Sequence, residues 1–226
     1  MAARAEVLDL LLETKVIAVL RMKDAAKLRE VAGALARGGV KALEVTLTTP
    51  GAMEAIRDLA AARTPGTIVG AGTVLEPDAA LSAVEAGADF IVSPVLNPAL
   101  VRACREAEVF VAPGAFTPTE ILAAWHLGAD VVKVFPATSL GPAFFKDLRG
   151  PLPGIRLMPT GGVSLDNAAE FIRQGACCVA VGTALLDPKL IDRGDWEGLS
   201  GYARRLVDAL AAVESPAPRV DPESRS

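Results

Sequence analysis

The stretch DVVKVFPATSL, residues 130–140, sets a lysine inside a run that otherwise reads as buried strand. Val131, Val132, Val134 and Phe135 are β-branched or aromatic, and Pro136 ends the run. A low-dielectric site disfavours an ammonium ion and lowers the lysine pKa, which frees an amine to attack a carbonyl. The resulting iminium is an electron sink and stabilises a carbanion beside the former carbonyl carbon. Aldol cleavage needs that sink and a second group to move protons, a role open to a carboxyl of suitable pKa. Glu44, in the apolar run ALEV, is the candidate. The competing reading of Lys133 and Glu44 is a buried structural ion pair, which is a weak source of stability because a packed apolar pair is often as stable.

What would bring these two side chains together is a repeat. GGVKALEV (38–45), AGADFIVS (86–93), LGADVVKV (127–134) and QGACCVAV (174–181) each join a helix end, a Gly and a β-branched run. In each, a Gly at the helix C-terminus can take the left-handed conformation that closes a helix. Gly39, Gly87, Gly128 and Gly175 align at steps of 48, 41 and 47 residues, too long for one strand and one helix. A further strand fits around each segment: KVIAVLR (15–21), TIVGAGTV (67–74), VFVAPGA (109–115) and IRLMPTGG (155–162). Periodic helical stretches lie between, beginning near residues 24, 50, 76, 97, 117 and 164, several with Asp, Ser, Asn or Thr as N-cap or Pro in the first turn.

Eight strand–helix units with short loops predict an α/β protein, a (β/α)₈ barrel preceded by a short amphipathic helix. An open doubly wound sheet is the alternative, and the regular spacing argues against it. One barrel domain is expected over residues 1–213, with a disordered tail at 214–226, where SPAPRVDPESRS lacks apolar periodicity. Five residues on from each aligned Gly stand Glu44, Val92, Lys133 and Ala180, on alternate strands. Interior layers of such barrels take their side chains from alternate strands. An inward-facing layer would therefore set a cation and a carboxylate across the core, flanked by two smaller side chains.

Composition excludes several functions. Half the chain is apolar but only 4% aromatic, so the core must rest on Ala, Val and Leu. A net charge of −4 without a basic stripe argues against a nucleic-acid partner. The longest apolar stretch, residues 176–186, is too short to span a bilayer, and Glu6, Asp9 and Glu13 break any signal-peptide core. Cys104, Cys177 and Cys178 form neither a CxxC motif nor a disulfide framework, and a soluble cytoplasmic protein with reduced thiols is expected. The single histidine, His126, makes a His-based triad or metal site a poor choice, and no metal or cofactor is expected.

Barrel active sites lie at the C-terminal ends of the strands. There the sequence sets Arg21 after strand one, Thr73 after strand three, Pro94 after strand four, Thr160, Gly161 and Gly162 after strand seven, and Gly182 and Thr183 after strand eight. Glycines after the last two strands, with a helix expected from Ser164, suit a phosphate held by backbone N–H groups. Each glycine equally suits an ordinary tight turn. Thr73 equally suits a strand-end backbone bond, and Arg21 a strand-end salt bridge.

LEVTL around Glu44, GAGTV around Thr73, VSP at 92–94, VKVFPA around Lys133, PTGGV at 159–163 and VGTAL at 181–185 occur in order. Together they closely resemble the bacterial 2-keto-3-deoxy-6-phosphogluconate (KDPG) aldolases, also known as 4-hydroxy-2-oxoglutarate (KHG) aldolases, over residues 6–213. The resemblance implies a metal-independent class I aldolase, a homotrimer of barrels, and cleavage of KDPG to pyruvate and glyceraldehyde 3-phosphate in the Entner–Doudoroff route. It implies Lys133 as the Schiff-base residue and Glu44 as general acid/base. Arg21, Thr73, Pro94, Phe135 and Thr160 would bind the substrate, and Gly161, Gly162, Gly182 and Thr183 its phosphate. One position departs from the pattern. Many members read TLRT after the glutamate, and that arginine holds the substrate carboxylate; here the stretch is TLTT, with Thr48 in its place. Arg21 in AVLR is then the expected carboxylate partner. The rival readings are a 2-dehydro-3-deoxy-6-phosphogalactonate aldolase, whose members tend to read EIPLNSP where this chain reads EVTLTTP, a phosphosugar epimerase or isomerase, and a non-catalytic phosphosugar-binding barrel.

Overall fold

The computed structural model describes residues 2–22 and 27–216. Helix α1 (Arg4–Thr14) leads into β1 (Val16–Leu20), followed by α2 (Leu28–Arg37), β2 (Ala42–Thr46), α3 (Ala52–Ala61), β3 (Ile68–Gly72), α4 (Pro77–Glu85) and β4 (Phe90–Val92). Next come α5 (Pro98–Glu106), β5 (Phe110–Ala112), β6 (Gly114–Ala115), α6 (Pro118–His126), β7 (Val132–Val134) and α7 (Gly141–Leu148). The chain ends with β8 (Leu157–Pro159), α8 (Ala168–Arg173), β9 (Val179–Val181), α9 (Pro188–Arg193) and α10 (Trp196–Ala211). The start of the helix expected from residue 24 and the tail from 217 onward lie outside the described residues.

All pairings are parallel, in the orders β5-β4-β3-β2-β1-β9 and β6-β7-β8. Strand order follows chain order, without the reversal of a doubly wound sheet. The fifth predicted strand is two pieces, β5 and β6, because Pro113 between them has no N–H to give the ladder. A parallel bridge between Thr160 and Ala180 links β8 to β9. The result is a strongly curled parallel sheet with helices packed on its outer face.

The two faces of the strands feed two apolar clusters. One holds the outward residues, such as Val16, Leu43, Val132 and Val181, with the buried faces of the helices. The other lies inside the curl: Ile17, Val19, Ala42, Phe90, Val92, Phe110, Met158 and Ala180 pack with Val7 and Leu11 of α1. Phe90 and Phe110 meet edge to face at 6.4 Å, and Phe90 lies over Gly70, where a Cβ would come within 2.3 Å of its ring. Helix α1 thus closes the N-terminal end of the sheet.

The repeated helix end has one structural explanation. Gly39, Gly87, Gly128 and Gly175 all have φ between 95° and 114°. After each, the next N–H reaches five residues back, as in Val40 to Leu35 and Ala129 to Ala124, the bonding of a Schellman cap. One residue further on stand Asp89 and Asp130, both buried. Asp89 accepts the Val69 and Ala2 N–H groups and pairs with Arg63 at 2.8 Å; Asp130 accepts the Val111 N–H and pairs with Arg4 at 2.6 Å. The two aspartates therefore tie the start of α1 to the sheet.

Helices α7, α9 and α10 extend the sequence reading. The first is opened by Gly-Pro and is too short to show a period, yet its Phe145 is fully buried edge to face on Phe171, 5.3 Å away. α10 packs on the end of α2 so closely that a Cβ at Gly38 would meet Ala203 at 2.5 Å. The helix expected from Ser164 begins at Ala168 instead. Ser164 N–H donates to the Asn167 side chain, which spends residues 164–167 on a turn.

Leu11 is fully buried in the interior cluster. Leu11→Ala is expected to lower stability by about 2–5 kcal/mol, read as a lower denaturant midpoint at unchanged m-value.

Candidate active site

Lys133 is the central residue of β7, between Val132 and Val134, which face the helices. The period-2 alternation turns Lys133 to the inside, where it is 4% exposed. Glu44 faces inward from β2 and is 0% exposed. Val92 and Ala180 belong to the interior cluster, so the layer read from the repeat faces the expected way.

Glu44 extends over Gly72 of β3, where a Cβ would stand 1.8 Å from its Oε1. No larger residue fits there without moving the carboxyl. Among the described residues both Glu44 oxygens lack a hydrogen-bond partner, as does the buried hydroxyl of Thr160. Lys133 Nζ stands 5.1 Å from the Phe135 ring centroid. The lysine and the glutamate thus face one cavity without bonding each other. Unpartnered buried polar groups are rare and costly, and a catalytic or binding role is one explanation for retaining them.

Burial dominates the electrostatics of both groups. It pushes the Glu44 carboxyl above its ordinary value, opposed by the nearby charges of Lys133 and Arg21. It pulls the Lys133 amine below its ordinary value; Glu44 opposes that shift and Arg21 adds to it. Each group is moved toward its neutral form, a carboxylic acid able to donate a proton and an amine able to attack.

The cavity measures about 820 Å³ and is lined by Arg21, Glu44, Thr73, Pro94, Lys133, Phe135 and Thr160, together with Val19, Met22, Thr48 and Pro50. Every residue assigned to catalysis or carboxylate and ketone binding from the sequence lies on it. A side pocket of about 140 Å³ shares Val19, Arg21, Phe135 and Thr160 with it and is walled by Gly161, Gly162, Gly182 and Thr183. Gly161 and Gly162 have φ of 86° and 74°, and a Cβ on Gly162 would meet the Thr138 hydroxyl at 2.5 Å. Thr73 has φ 58°, a left-handed conformation disfavoured for a β-branched residue and costing about 1–3 kcal/mol.

Sequence reasoning missed Gly72, whose role appears only once β2 and β3 are in register, Thr46 opposite Gly72. It also missed Val19, Met22 and Pro50 as cavity walls. Val19 was legible in principle, since it pairs with Glu44 and shares its inward parity.

A family model described as "Aldolase: KDPG and KHG aldolase" matches residues 7–201. The chain is 39% identical over 200 residues to the 2-dehydro-3-deoxy-phosphogluconate aldolase of Pseudomonas aeruginosa, covering 88% of this chain and 90% of that one. Its fold matches the KDPG aldolase of Zymomonas mobilis ZM4 solved with 3-phosphoglycerate, at a TM-score of 0.80, 31% identity and coverage of 97% and 100%. It also matches the KDPG aldolase of Legionella pneumophila with pyruvate captured as a covalent carbinolamine, at a TM-score of 0.79, 30% identity and coverage of 92% and 98%.

The electrostatics predict the titration of Lys133. Its carbamylation by cyanate, followed by peptide mass mapping across pH, should show a midpoint below the ordinary lysine value near 10.5. Arg21→Gln should move that midpoint up, and Glu44→Gln should move it down, because the carboxylate favours the ammonium form. A midpoint at the ordinary value would mean that the amine is not desolvated.

Proposed function

The chain belongs to the KDPG and KHG aldolase family, and on that premise we propose that it cleaves KDPG to pyruvate and glyceraldehyde 3-phosphate through a Schiff base on Lys133. The observation that carries the reading is the desolvated amine facing an unpartnered carboxyl across a cavity large enough for a six-carbon sugar acid phosphate.

The cycle follows from the chemistry of the two groups. The neutral amine of Lys133 adds to the C2 ketone, and Glu44 donates a proton as the carbinolamine loses water to give the iminium. Glu44, now a carboxylate, takes the C4 hydroxyl proton, directly or through one water. The C3–C4 bond breaks, and its electron pair moves into the iminium to form an enamine. Glyceraldehyde 3-phosphate leaves, the enamine is protonated at C3, and water hydrolyses the remaining iminium to pyruvate and free Lys133. Arg21 grips the C1 carboxylate with its planar fork. The Thr160 hydroxyl, without a partner among the described residues, bonds the bound pyruvate moiety, with Thr73, Pro94 and Phe135 as the other walls. Gly161, Gly162, Gly182 and Thr183 offer the side pocket to the phosphate.

The same reading takes the curled sheet as a closed (β/α)₈ barrel, a single domain from the N-terminus to residue 213. The Thr160–Ala180 bridge and the continuity of β5 with β6 support closure. It also takes the enzyme as a cytoplasmic homotrimer. Leu75, Val95 and Phe116 are 47%, 48% and 39% exposed, on loops that follow β3, β4 and β6, and they suit a contact between copies. The buried free thiols fit a reducing compartment.

Borohydride with pyruvate should add one reduced adduct, on Lys133, and Lys133→Ala should lose both the adduct and turnover. An adduct elsewhere, or catalysis that survives Lys133→Ala, would remove the Schiff base from the mechanism. Glu44→Gln should lower kcat about 10²–10⁴-fold with the fold intact.

Gly162→Ala should raise the KM for KDPG through the phosphate pocket while leaving pyruvate trapping on Lys133 unchanged. Equal losses in both assays would detach these glycines from phosphate binding.

A further inference from the structure

The departure at Thr48 leaves a structural question: what aims Arg21? Its side chain is exposed, it stands one residue beyond the end of β1, and among the described residues it forms no hydrogen bond or ion pair. An arginine carries about 2 kcal/mol of rotamer entropy. A strand-end arginine on a loose backbone would therefore hold a carboxylate poorly.

The backbone on both sides of Arg21 is held from the neighbouring β2 turn. Met22 N–H donates to Thr49 Oγ1 at 3.3 Å. The carbonyl of Leu20 accepts from Thr46 Oγ1 at 3.4 Å. Thr46 and Thr49 are joined hydroxyl to hydroxyl at 3.2 Å, and Thr48 donates to Thr46 at 3.2 Å. Proton counting fixes the direction of the chain. Thr46 has one proton, and Leu20 C=O can only accept, so Thr46 donates there and Thr49 donates to Thr46. The oxygen of Thr49 is then free to accept Met22 N–H. The relay runs from the peptide after Arg21 to the peptide before it.

Thr46 and Thr49 are 0% and 2% exposed, so water does not substitute for these bonds. The turn itself is fixed by Thr49 N–H to Thr46 C=O at 2.9 Å and by Leu47 N–H to Gly72 C=O at 2.8 Å. Each hydroxyl bond is long and individually weak. Their joint effect is to tie the Arg21 backbone to the strand that carries Glu44. We propose that the hydroxyl relay of Thr46 and Thr49 positions Arg21 for the substrate carboxylate, so that the TLTT turn acts in ketoacid recognition through the arginine on the adjacent strand. This rests on the reading of Arg21 as the carboxylate partner.

The test uses the whole chain and two ketones, pyruvate and acetone, each titrated in borohydride trapping on Lys133. Only pyruvate carries the carboxylate. Thr49→Val removes the hydroxyl at nearly constant volume. It should raise the half-saturating pyruvate concentration and the KM for KDPG about 3- to 10-fold, the worth of one net hydrogen bond. Acetone trapping and kcat should be unchanged. Thr49→Ser should restore pyruvate affinity, and Thr46→Val, which cuts the relay at its other end, should reproduce the split and serves if Thr49→Val does not fold. Arg21→Gln should raise the pyruvate value at least as much, and adding Thr49→Val to Arg21→Gln should have no further effect. If Arg21→Gln weakens pyruvate and neither valine variant does, the relay is not the positioning device and the reading of Arg21 stands. If Arg21→Gln has no effect, that reading falls and the relay proposal with it. If the valine variants weaken pyruvate and acetone alike, the hydroxyls only support the fold, and the proposal is overturned.

Discussion

Desolvation of Lys133 and Glu44 is the constraint on which the rest of the site depends. Water kept out of the curled sheet moves both groups toward neutrality, and it does so more strongly than their mutual attraction opposes. A tight salt bridge would defeat this. Had Glu44 been within bonding distance of Nζ, the ammonium would have been held charged and the amine made unreactive. The separation is therefore as informative as the burial. Small side chains at Val92 and Ala180, and none at Gly72, leave the two polar ends facing a cavity that no described residue fills.

That arrangement is destabilising in isolation, since burying a charge or an unpartnered polar group costs several kcal/mol. It persists because it is embedded above a contiguous apolar interior cluster that α1 seals at the N-terminal end. Asp89 and Asp130 contrast with Glu44 in this respect. They are buried too, but each accepts a backbone N–H and pairs with an arginine. Similar carboxyls in one sheet thus take opposite roles. At the N-terminal end they are satisfied and hold α1, whereas Glu44 has no partner among the described residues and faces the cavity.

The legible part of this design was the part written locally. The left-handed glycines, the strands after them and the inward parity of Glu44 and Lys133 follow from one-dimensional spacing, because a helix end and a period of two are short-range facts. The illegible part depends on register between strands. Gly72 reads as an ordinary strand glycine until β3 is set against β2. The Thr46–Thr49 relay reads as a polar turn until the end of β1 is laid beside it. Pro113 splits a strand that apolar pattern alone makes continuous, and Asn167 captures Ser164 N–H to delay a helix that the periodicity starts four residues earlier. What decides each case is a contact, a bond or a missing donor that appears only when neighbouring residues and strands are set side by side.

Under the proposed role of Arg21, strand register relocates carboxylate binding from the position of Thr48 without moving the site. Arg21 and residue 48 sit on adjacent strand ends, with Leu20 paired to Val45, so a cation lost from one can be supplied from the other to the same cavity. The electrostatic consequence is not neutral. The Arg21 guanidinium, just past β1, acts on both buried groups, lowering the pKa of Lys133 and opposing the rise at Glu44. Under the proposed role, an incoming carboxylate offsets that positive charge, and its arrival therefore weakens the influence of Arg21 on the amine. On that reading binding and ionisation are linked: a ligand held by the arginine also resets the electrostatics of the lysine.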